Sequence, residues 1–256
     1  MLACLFTRLT AHRQPRPPGH GLPLRARGGL CARPRPGLLI SGLLVSGLLV
    51  FGLLALTPPP AHAAIQLMGT IEFGSNLKNL PQWEQMLARN ANNPIFVTGS
   101  KLNGRVSWEQ FVEMMRGKSP MEQLKAVNTL WNRFPYRTDQ EVYHMQDYWA
   151  APCEFRKNSG DCEDYAIAKY FTLKALGFDT RSMRIVIVRE TIRNQVHAVL
   201  VVYLDNDAYV LDNLSPATLS HSRTRQYLPQ ISINEHGRWV HVRPTTPGKP
   251  RPPARR

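Results

Sequence analysis

The hydrophobic pattern of this chain changes once, near Gly177, and that change limits the folds it can adopt. Between Pro81 and Gly177 the apolar residues recur mainly at helical spacing, whereas beyond Gly177 they form short β-branched runs separated by turn residues. Helices followed by consecutive strands are typical of proteins in which helices pack on an antiparallel sheet. The sequence therefore predicts an α+β fold.

Local capping signals predict where helices begin and end. Residues 107–110 (Ser-Trp-Glu-Gln) form a capping box that opens one helix, and residues 119–122 (Ser-Pro-Met-Glu) open the next, with Pro at the first helical position. We also predict a short helix over residues 81–89 and a longer helix over residues 161–177, with Asp as its N-cap and Gly as its stop. Residues 135–160 have no strong period, so we expect an ordered loop there.

Four strands are predicted beyond Gly177 from their β-branched and apolar residues: 184–188, 197–204, 209–211 and 239–242. Residues 205–208 (Asp-Asn-Asp-Ala) supply a hairpin turn between the second and third strands. We assign these elements to a single domain over residues 64–243, which is long enough to bury its own core.

Residues 1–63 are predicted to be a secretory leader. Residues 1–37 contain seven Arg and no acid, residues 38–56 are uncharged and apolar, and Ala61-His62-Ala63 is a typical cleavage site. Cleavage after Ala63 would place the remaining chain in the periplasm. The apolar run has 19 residues and is also long enough to span a bilayer, so an inner-membrane signal anchor is the alternative.

The formal net charge of +14 is distributed unevenly along the chain. The leader accounts for seven Arg, and residues 244–256 hold four Lys and Arg in a Pro-rich tail that we expect to be disordered. The domain itself then carries a net charge of only about +3. So small a charge provides little electrostatic attraction for a nucleic acid, and we expect no nucleic-acid partner.

Residues 160–165, Gly-Asp-Cys-Glu-Asp-Tyr, place Cys162 in the first turn of a predicted helix. A helix N-terminus favours anions, so a thiol there tends towards thiolate, the form that attacks a carbonyl carbon. The neighbouring carboxylates oppose a further negative charge. A cation on these acids would resolve the conflict, and Ca²⁺ is the cation that an all-oxygen cluster favours. The alternative is an acidic N-cap around a buried structural cysteine.

A cysteine nucleophile needs a base and a group that orients the base. Among the His residues beyond the leader, His197 begins a predicted strand, where a sheet edge can present it to the helix N-terminus. Asp212 ends the neighbouring strand among apolar residues, and a buried acid there needs a partner such as an imidazole N–H. The order of Cys162 on a helix, then His197 and Asp212 on strands, indicates a catalytic triad.

The segments that carry these residues resemble a known family. They are 147–149 (Asp-Tyr-Trp), 152–155 (Pro-Cys-Glu-Phe), 160–170, 197–200 (His-Ala-Val-Leu) and 211–214 (Leu-Asp-Asn-Leu). Over roughly residues 75–245 the chain resembles the bacterial transglutaminase-like cysteine proteinases, and within them the LapG-type periplasmic proteases. The resemblance implies a papain-like fold with the nucleophile helix packed on an antiparallel sheet. It also implies that Cys162 is the nucleophile, His197 the general base and acid, and Asp212 the orienter.

The resemblance implies in addition a requirement for Ca²⁺, bound by the acids that flank the cysteine. In this chain those acids are Asp161, Glu163 and Asp164. Members of the family cut the N-terminal region of a large surface adhesin after an Ala-Ala pair, which releases cells from a biofilm. An inner-membrane receptor that senses cytoplasmic cyclic-di-GMP holds them inactive. We therefore expect a periplasmic, calcium-dependent cysteine endopeptidase with the adhesin as its substrate and the receptor as its inhibitory partner.

Two other functions stay open at this point. The same triad serves a transglutaminase-type acyl transferase, in which a lysine amine replaces water in the second step. A non-enzymatic calcium-dependent binding protein would instead use Cys153 and Cys162 as a structural disulfide, because export would place both in an oxidising compartment. Cys153 departs from the family pattern, and its pairing with Cys162 would also inactivate the enzyme on oxidation.

Overall fold

A computed structural model of the chain describes residues 65–75 and 80–244, which form a layer of helices on an antiparallel sheet. The described helices are α1 (Pro81–Asn92), α2 (Trp108–Met115), α3 (Pro120–Trp131), α4 (Asp139–Val142), α5 (Pro152–Asn158) and α6 (Cys162–Ala175). The described strands are β1 (Ile71–Gly74), β2 (Met183–Glu190), β3 (Gln195–Leu204), β4 (Asp207–Leu211), β5 (Leu219–Ser220), β6 (Tyr227–Asn234) and β7 (Gly237–Val242). The predicted α+β fold is confirmed.

The predicted leader lies outside the described residues, and so does the predicted tail apart from its first residue. Within the two described ranges, no helix is both long enough and apolar enough to cross a membrane.

The sheet has the strand order β1-β7-β6-β2-β3-β4-β5, and all neighbouring strands are antiparallel. The four predicted strands are confirmed as parts of β2, β3, β4 and β7, and the turn between β3 and β4 is Asp205-Asn206. Strands β1, β5 and β6 add to them. Pro229 lies within β6 where its register with β2 shifts, which fits a residue that cannot donate a backbone hydrogen bond.

The helix predictions that rested on capping signals are confirmed. The side chains of Ser107 and Ser119 accept hydrogen bonds from the third residues of α2 and α3, and the boxes are reciprocal. Helix α6 follows its N-cap Asp161, and the chain leaves it through Gly177, whose φ of 96° suits glycine.

The expectation of an ordered loop over residues 135–160 is wrong, because α4 and α5 lie within it. Both helices are short, with four and seven residues, and so contain too few turns to show a helical period in the sequence. A capping box between Thr138 and Glu141 marks the start of α4, and Pro152 is the first residue of α5.

Helix α6 is the element around which the helical layer is assembled. All residues from Cys162 to Leu173 are buried, because β2 and β3 cover one side of the helix while α3 and α5 pack against it elsewhere. The indole N–H of Trp131 on α3 donates to Thr172 Oγ1 at 2.7 Å, and this hydroxyl donates to the Ala168 carbonyl. These buried hydrogen bonds fix α6 relative to α3.

The substitution Thr172→Val should destabilise the protein by about 1–3 kcal/mol, because it leaves the buried Trp131 N–H without its acceptor. The free energy of unfolding in urea measures the effect. Thr191→Val is the control, because Thr191 is exposed and water can replace its hydroxyl contact; a change below about 0.5 kcal/mol is expected there. Equal losses for both variants would contradict a specific role of the α3–α6 hydrogen bond.

Candidate active site

The turn before α6 determines where Cys162 lies. The backbone N–H of Arg137 donates to the Gly160 carbonyl at 2.9 Å, which ties this turn to the segment after α3. Gly160 is required by a close approach, because a Cβ at this position would collide with the carboxylate of Asp164. Asp164 in turn accepts hydrogen bonds from the backbone N–H groups of Ala150 at 2.6 Å and Asp161 at 3.2 Å. The glycine and the two acids of the motif therefore shape the helix start.

Cys162 lies at the bottom of a small cleft between α6 and the sheet. Its side chain is 2% exposed, and its thiol donates to Glu163 Oε2 at 3.2 Å. The cleft has an empty volume of about 400 Å³, and its lining includes Cys162, His197, Trp149, Ile187 and Ala198. The sulfur and the imidazole thus line one common space, together with apolar side chains and three carboxylates.

His197 and Asp212 form a buried pair on neighbouring strands. His197 is the third residue of β3, and Asp212 follows the last residue of β4. His197 Nε2 lies 2.9 Å from Asp212 Oδ1. With Nε2–H donating to the carboxylate, Nδ1 is the nitrogen available to a thiol.

The Asp212 carboxylate has a full set of hydrogen-bond donors. Besides His197, it accepts from the backbone N–H of Leu214 at 2.9 Å and from the hydroxyl of Tyr227 at 2.5 Å. Burial by itself raises the pKa of Asp212. The hydrogen bond and charge of His197, together with the hydrogen bonds from Tyr227 and Leu214, lower the pKa by more, so it lies below its usual range. Asn132, the C-cap of α3, holds the same turn by donating to the Asp212 carbonyl at 2.8 Å. The acid is therefore both ionised and immobilised.

Two further aspartates join the acidic residues beside Cys162. Carboxylate oxygens of Asp139, Asp147 and Glu163 lie within 4.8 Å of one another, and so do those of Asp139, Asp161 and Asp164. Asp139 begins α4 and Asp147 lies between α4 and α5, so both come from the segment that was expected to be a loop. Asp139 is common to the two groups, and the five acids form one cluster at the N-terminus of α6.

The electrostatics of this acidic cluster demand a cation or bound protons. Burial and then the charges of neighbouring acids raise the pKa of Asp161 to about 11 and that of Asp164 well above its usual range. Burial raises the pKa of Asp139 to about 6 and also raises that of Asp147. Buried oxygens of Asp139 and Asp161, both Oδ1, have no hydrogen-bond partner in the described structure. Unsatisfied carboxylate oxygens of this kind are suitable ligands for a hard cation such as Ca²⁺.

The structure thus brings the predicted site residues into one region. His197 and Asp212 are in contact, Cys162 shares their cleft, and Asp161, Glu163 and Asp164 surround the start of α6. Asp139, Asp147 and Tyr227 are additional residues that the sequence reasoning did not identify as part of the site. The only local signal was for Asp147, which stands in the Asp-Tyr-Trp segment of the resemblance.

Cys153 lies on α5 and is half-buried. No disulfide joins it to Cys162, and these are the two cysteines in the described part of the chain. Burial raises the pKa of the Cys153 thiol, followed by the effect of the neighbouring Glu154 charge. The disulfide required by the binding-protein alternative is therefore not present in the structure.

Comparison with known proteins places these residues in a family context. The sequence profile of the bacterial transglutaminase-like cysteine proteinases (BTLCP) matches residues 96–246, more than half of the chain. Solved structures of LapG from Legionella pneumophila, one calcium-bound and one EGTA-treated, are similar to this chain at 36% sequence identity and a TM-score of 0.48. Each match covers 52% of this chain, and 75% or 73% of the LapG chain, respectively. No curated protein sequence gives a significant match.

Removal of the Tyr227 hydroxyl tests whether Asp212 is held ionised by its donors. Tyr227→Phe should lower the free energy of unfolding at pH 7 by about 1–3 kcal/mol, because a hydrogen bond to a buried charge is lost. The pKa of Asp212 is lower in the folded protein than in the unfolded chain. The stability that this hydrogen bond contributes is therefore fully present above the unfolded-state pKa, and it is lost as the pH falls through the folded-state pKa. The difference between wild type and variant should therefore shrink in acid.

Urea unfolding at several pH values gives this difference directly. Tyr209→Phe on β4 is the control, because the hydroxyl of this half-buried tyrosine has no hydrogen bond to any described residue. A loss in Tyr227→Phe that is the same at every pH would show that the hydroxyl serves packing and not the charge of Asp212.

Proposed function

Because the chain belongs to the bacterial transglutaminase-like cysteine proteinases, we propose that it is a calcium-dependent cysteine endopeptidase with Cys162 as its nucleophile. The observation that carries this proposal is the shared cleft, in which a thiol at a helix N-terminus faces a histidine whose other nitrogen is hydrogen-bonded to Asp212. A nucleophile, a base and an orienter in this relation are what acyl transfer by a cysteine requires.

In the proposed reaction, His197 accepts the Cys162 proton through Nδ1, and the thiolate sulfur attacks the carbonyl carbon of a peptide bond. Residues at the N-terminus of α6 line the cleft, and their backbone N–H groups would stabilise the oxyanion that forms. His197 then donates its proton to the leaving amine as the C–N bond breaks. Water, activated by the same imidazole, hydrolyses the thioester and restores the thiol.

Asp212 would act by orienting the imidazole. Its hydrogen bond to Nε2 fixes the tautomer that leaves Nδ1 for the thiol, and its negative charge stabilises the imidazolium that forms in the reaction. The three donors on its carboxylate keep it from rotating away or taking up a proton.

The acidic cluster fits a calcium site, with Asp139, Asp147, Asp161, Glu163 and Asp164 as its candidate ligands. Bound calcium would supply positive charge that keeps these carboxylates ionised next to the thiol and fixes the start of α6. The protein's contribution is the arrangement of acids from α4, from the segment between α4 and α5, and from the start of α6 around one point. Cys162 itself lies between two of the candidate ligands in sequence, so the metal affects the environment of the sulfur without having to touch the substrate.

We further propose a periplasmic location, with the N-terminal region of a large surface adhesin as substrate and an inner-membrane cyclic-di-GMP receptor as inhibitory partner. These assignments rest on the family resemblance and, for the location, on the predicted leader. The lining of the cleft supports cleavage within an apolar segment such as an Ala-Ala pair, because Trp149, Ile187 and Ala198 present apolar surface to the substrate. Cleavage of the adhesin would release cells from a biofilm.

The full chain should cleave an adhesin N-terminal fragment that contains the Ala-Ala pair when Ca²⁺ is present, and excess chelator should abolish the cleavage. Cys162→Ala should reduce the rate by about a thousandfold or more, since the nucleophile is lost. Gel electrophoresis and mass spectrometry identify the products and the cleaved bond. Cys153→Ala is the matched control and should keep wild-type activity, because Cys153 does not line the cleft.

Other results of this assay would redirect the proposal. Absence of cleavage under reducing conditions with saturating Ca²⁺ would overturn the substrate class. Release of ammonia from a glutamine donor, together with incorporation of an amine, would identify the chain as a transglutaminase-type acyl transferase instead.

Asp139→Asn should weaken Ca²⁺ binding by about tenfold or more, because Asp139 contributes to both groups of the cluster. Calorimetric titration of Ca²⁺ into the full chain measures this. The raised pKa values of Asp139 and Asp161 mean that these acids hold protons at neutral pH or just below it without the metal, so binding should release protons and weaken as pH falls from 7 to 5.

Asp179 provides the control, because it is exposed and lies far from the cluster in sequence. In Asp179→Asn the side chain can still accept the backbone hydrogen bond by which Asp179 caps its helix. Its Ca²⁺ affinity should equal that of the wild type. Unchanged affinity in Asp139→Asn, or binding without proton release, would exclude this cluster as the calcium site.

A further inference from the structure

Lys169 is a buried charge that the proposed reaction does not use. It lies on α6, its exposed fraction is 0%, and its Nζ has no hydrogen-bond partner in the described structure. A buried ammonium without compensation is strongly unfavourable, and an apolar side chain of the same length would fill the space without that cost. The position of the charge in the fold therefore calls for a physical explanation.

The geometry of α6 places this ammonium below the catalytic cleft. Lys169 follows Cys162 by seven residues, which is about two turns, so the two residues lie on the same face of the helix. Long side chains on helices extend towards the N-terminus. Lys169 does so, because its Nζ lies 5.8 Å from the ring centroid of Tyr165, one turn closer to Cys162. The charge is thus directed towards the site.

Two acids on elements that pack against α6 already have a cationic partner, which favours Asp212 as the partner of Lys169. On β2, Glu190 already pairs with Arg193 at 2.9 Å, and on α5, Glu154 pairs with Arg89 at 3.1 Å. Among the residues that the structure describes, the imidazole of His197 is the one possible cation at hydrogen-bond distance from Asp212, which follows β4.

The electrostatics of Lys169 agree with that assignment. Burial lowers the pKa of Lys169 to about 7, and the negative charge of Asp212 is the influence that opposes this lowering. Among the other titratable groups, β3 carries His197, the Tyr165 ring lies against Lys169, and the Tyr227 hydroxyl donates to Asp212. Lys169 Nζ makes no hydrogen bond in the described structure, so Lys169 acts on Asp212 through space.

We propose that Lys169 is a positioning residue whose buried ammonium balances the charge of Asp212 and thereby sets the proton affinity of the His197–Asp212 pair. This inference rests on the proposed cysteine-protease function. The positive charge keeps Asp212 ionised, so that the imidazole stays oriented with Nδ1 towards the thiol. It also prevents His197 from holding a proton too tightly to deliver it to the leaving amine.

The charge-free variant Lys169→Met should raise the pKa of His197 by about half a unit to one unit, a three- to tenfold gain in proton affinity, since a nearby positive charge is removed. Titration of the His197 ring in ¹⁵N-histidine-labelled full chain measures this without any substrate. The pH profile of kcat/KM should move in the same direction. A role in packing alone would lower activity without moving either titration.

Two further variants provide controls. Lys174→Met removes an exposed lysine from the same helix, where it pairs with Glu235, and should leave the His197 titration unchanged. Lys169→Arg keeps a positive charge and should keep the His197 pKa near the wild-type value. A His197 titration that is the same in Lys169→Met and wild type would overturn the inference.

A reciprocal measurement decides the matter if Lys169→Met does not fold. In full chain labelled with ¹³C at the lysine Cε, Asp212→Asn should lower the pKa of Lys169 from about 7 by half a unit or more, because the charge that favours the ammonium is lost. An unchanged Lys169 titration would overturn the inference. Failure of the wild-type chain to cleave any adhesin fragment would overturn the proposed function. The coupling between Lys169 and Asp212 could still be measured by these titrations.

Discussion

The burial of α6 over twelve consecutive residues is the constraint on which the rest of the structure depends. A helix that is buried all round must be covered by the sheet on one side and by other helices elsewhere, which explains why α3 and α5 pack against it. The burial includes ionisable residues: acids in the first turn and Lys169 two turns from Cys162. The fold therefore decides the charge state of the site as well as its shape.

Residues of the same type have opposite electrostatic properties on the two sides of the cleft. Asp212 and Asp161 are comparably buried, yet the pKa of Asp212 is lowered and that of Asp161 is raised to about 11. Asp212 has three hydrogen-bond donors, whereas one oxygen of Asp161 has none and its neighbours are acids. The donors keep Asp212 an anion that is suited to orient an imidazole. The lack of donors on one Asp161 oxygen makes that carboxylate suited to bind a cation.

The sequence contains enough information to predict the local elements but not the long-range contacts that complete the site. The helix that carries Cys162 follows from its cap and its stop, and the strand order predicts that His197 and Asp212 meet. The contact of Tyr227 with Asp212 depends on β6, whose Pro229 weakens the strand signal. The position of Asp139 depends on the folding of residues 135–160, which have no helical period.

Helix α6 buries both a lysine and several acids, and the two kinds of charge are neutralised in different ways. This difference affects how the site can be regulated. For Lys169 the chain supplies an opposite charge, because the negative charge of Asp212 opposes the lowering of the Lys169 pKa by burial. Asp161 and Asp164 are in a different situation, since the charged groups that act on them are further acids. Protons or a metal must supply the missing positive charge, and only the metal leaves the carboxylates ionised and the cluster rigid. Calcium dependence would then arise from the fold itself, because burying α6 brings Asp161 and Asp164 together with further acids at its N-terminus, and the charges of the described residues that act on these two acids are all negative.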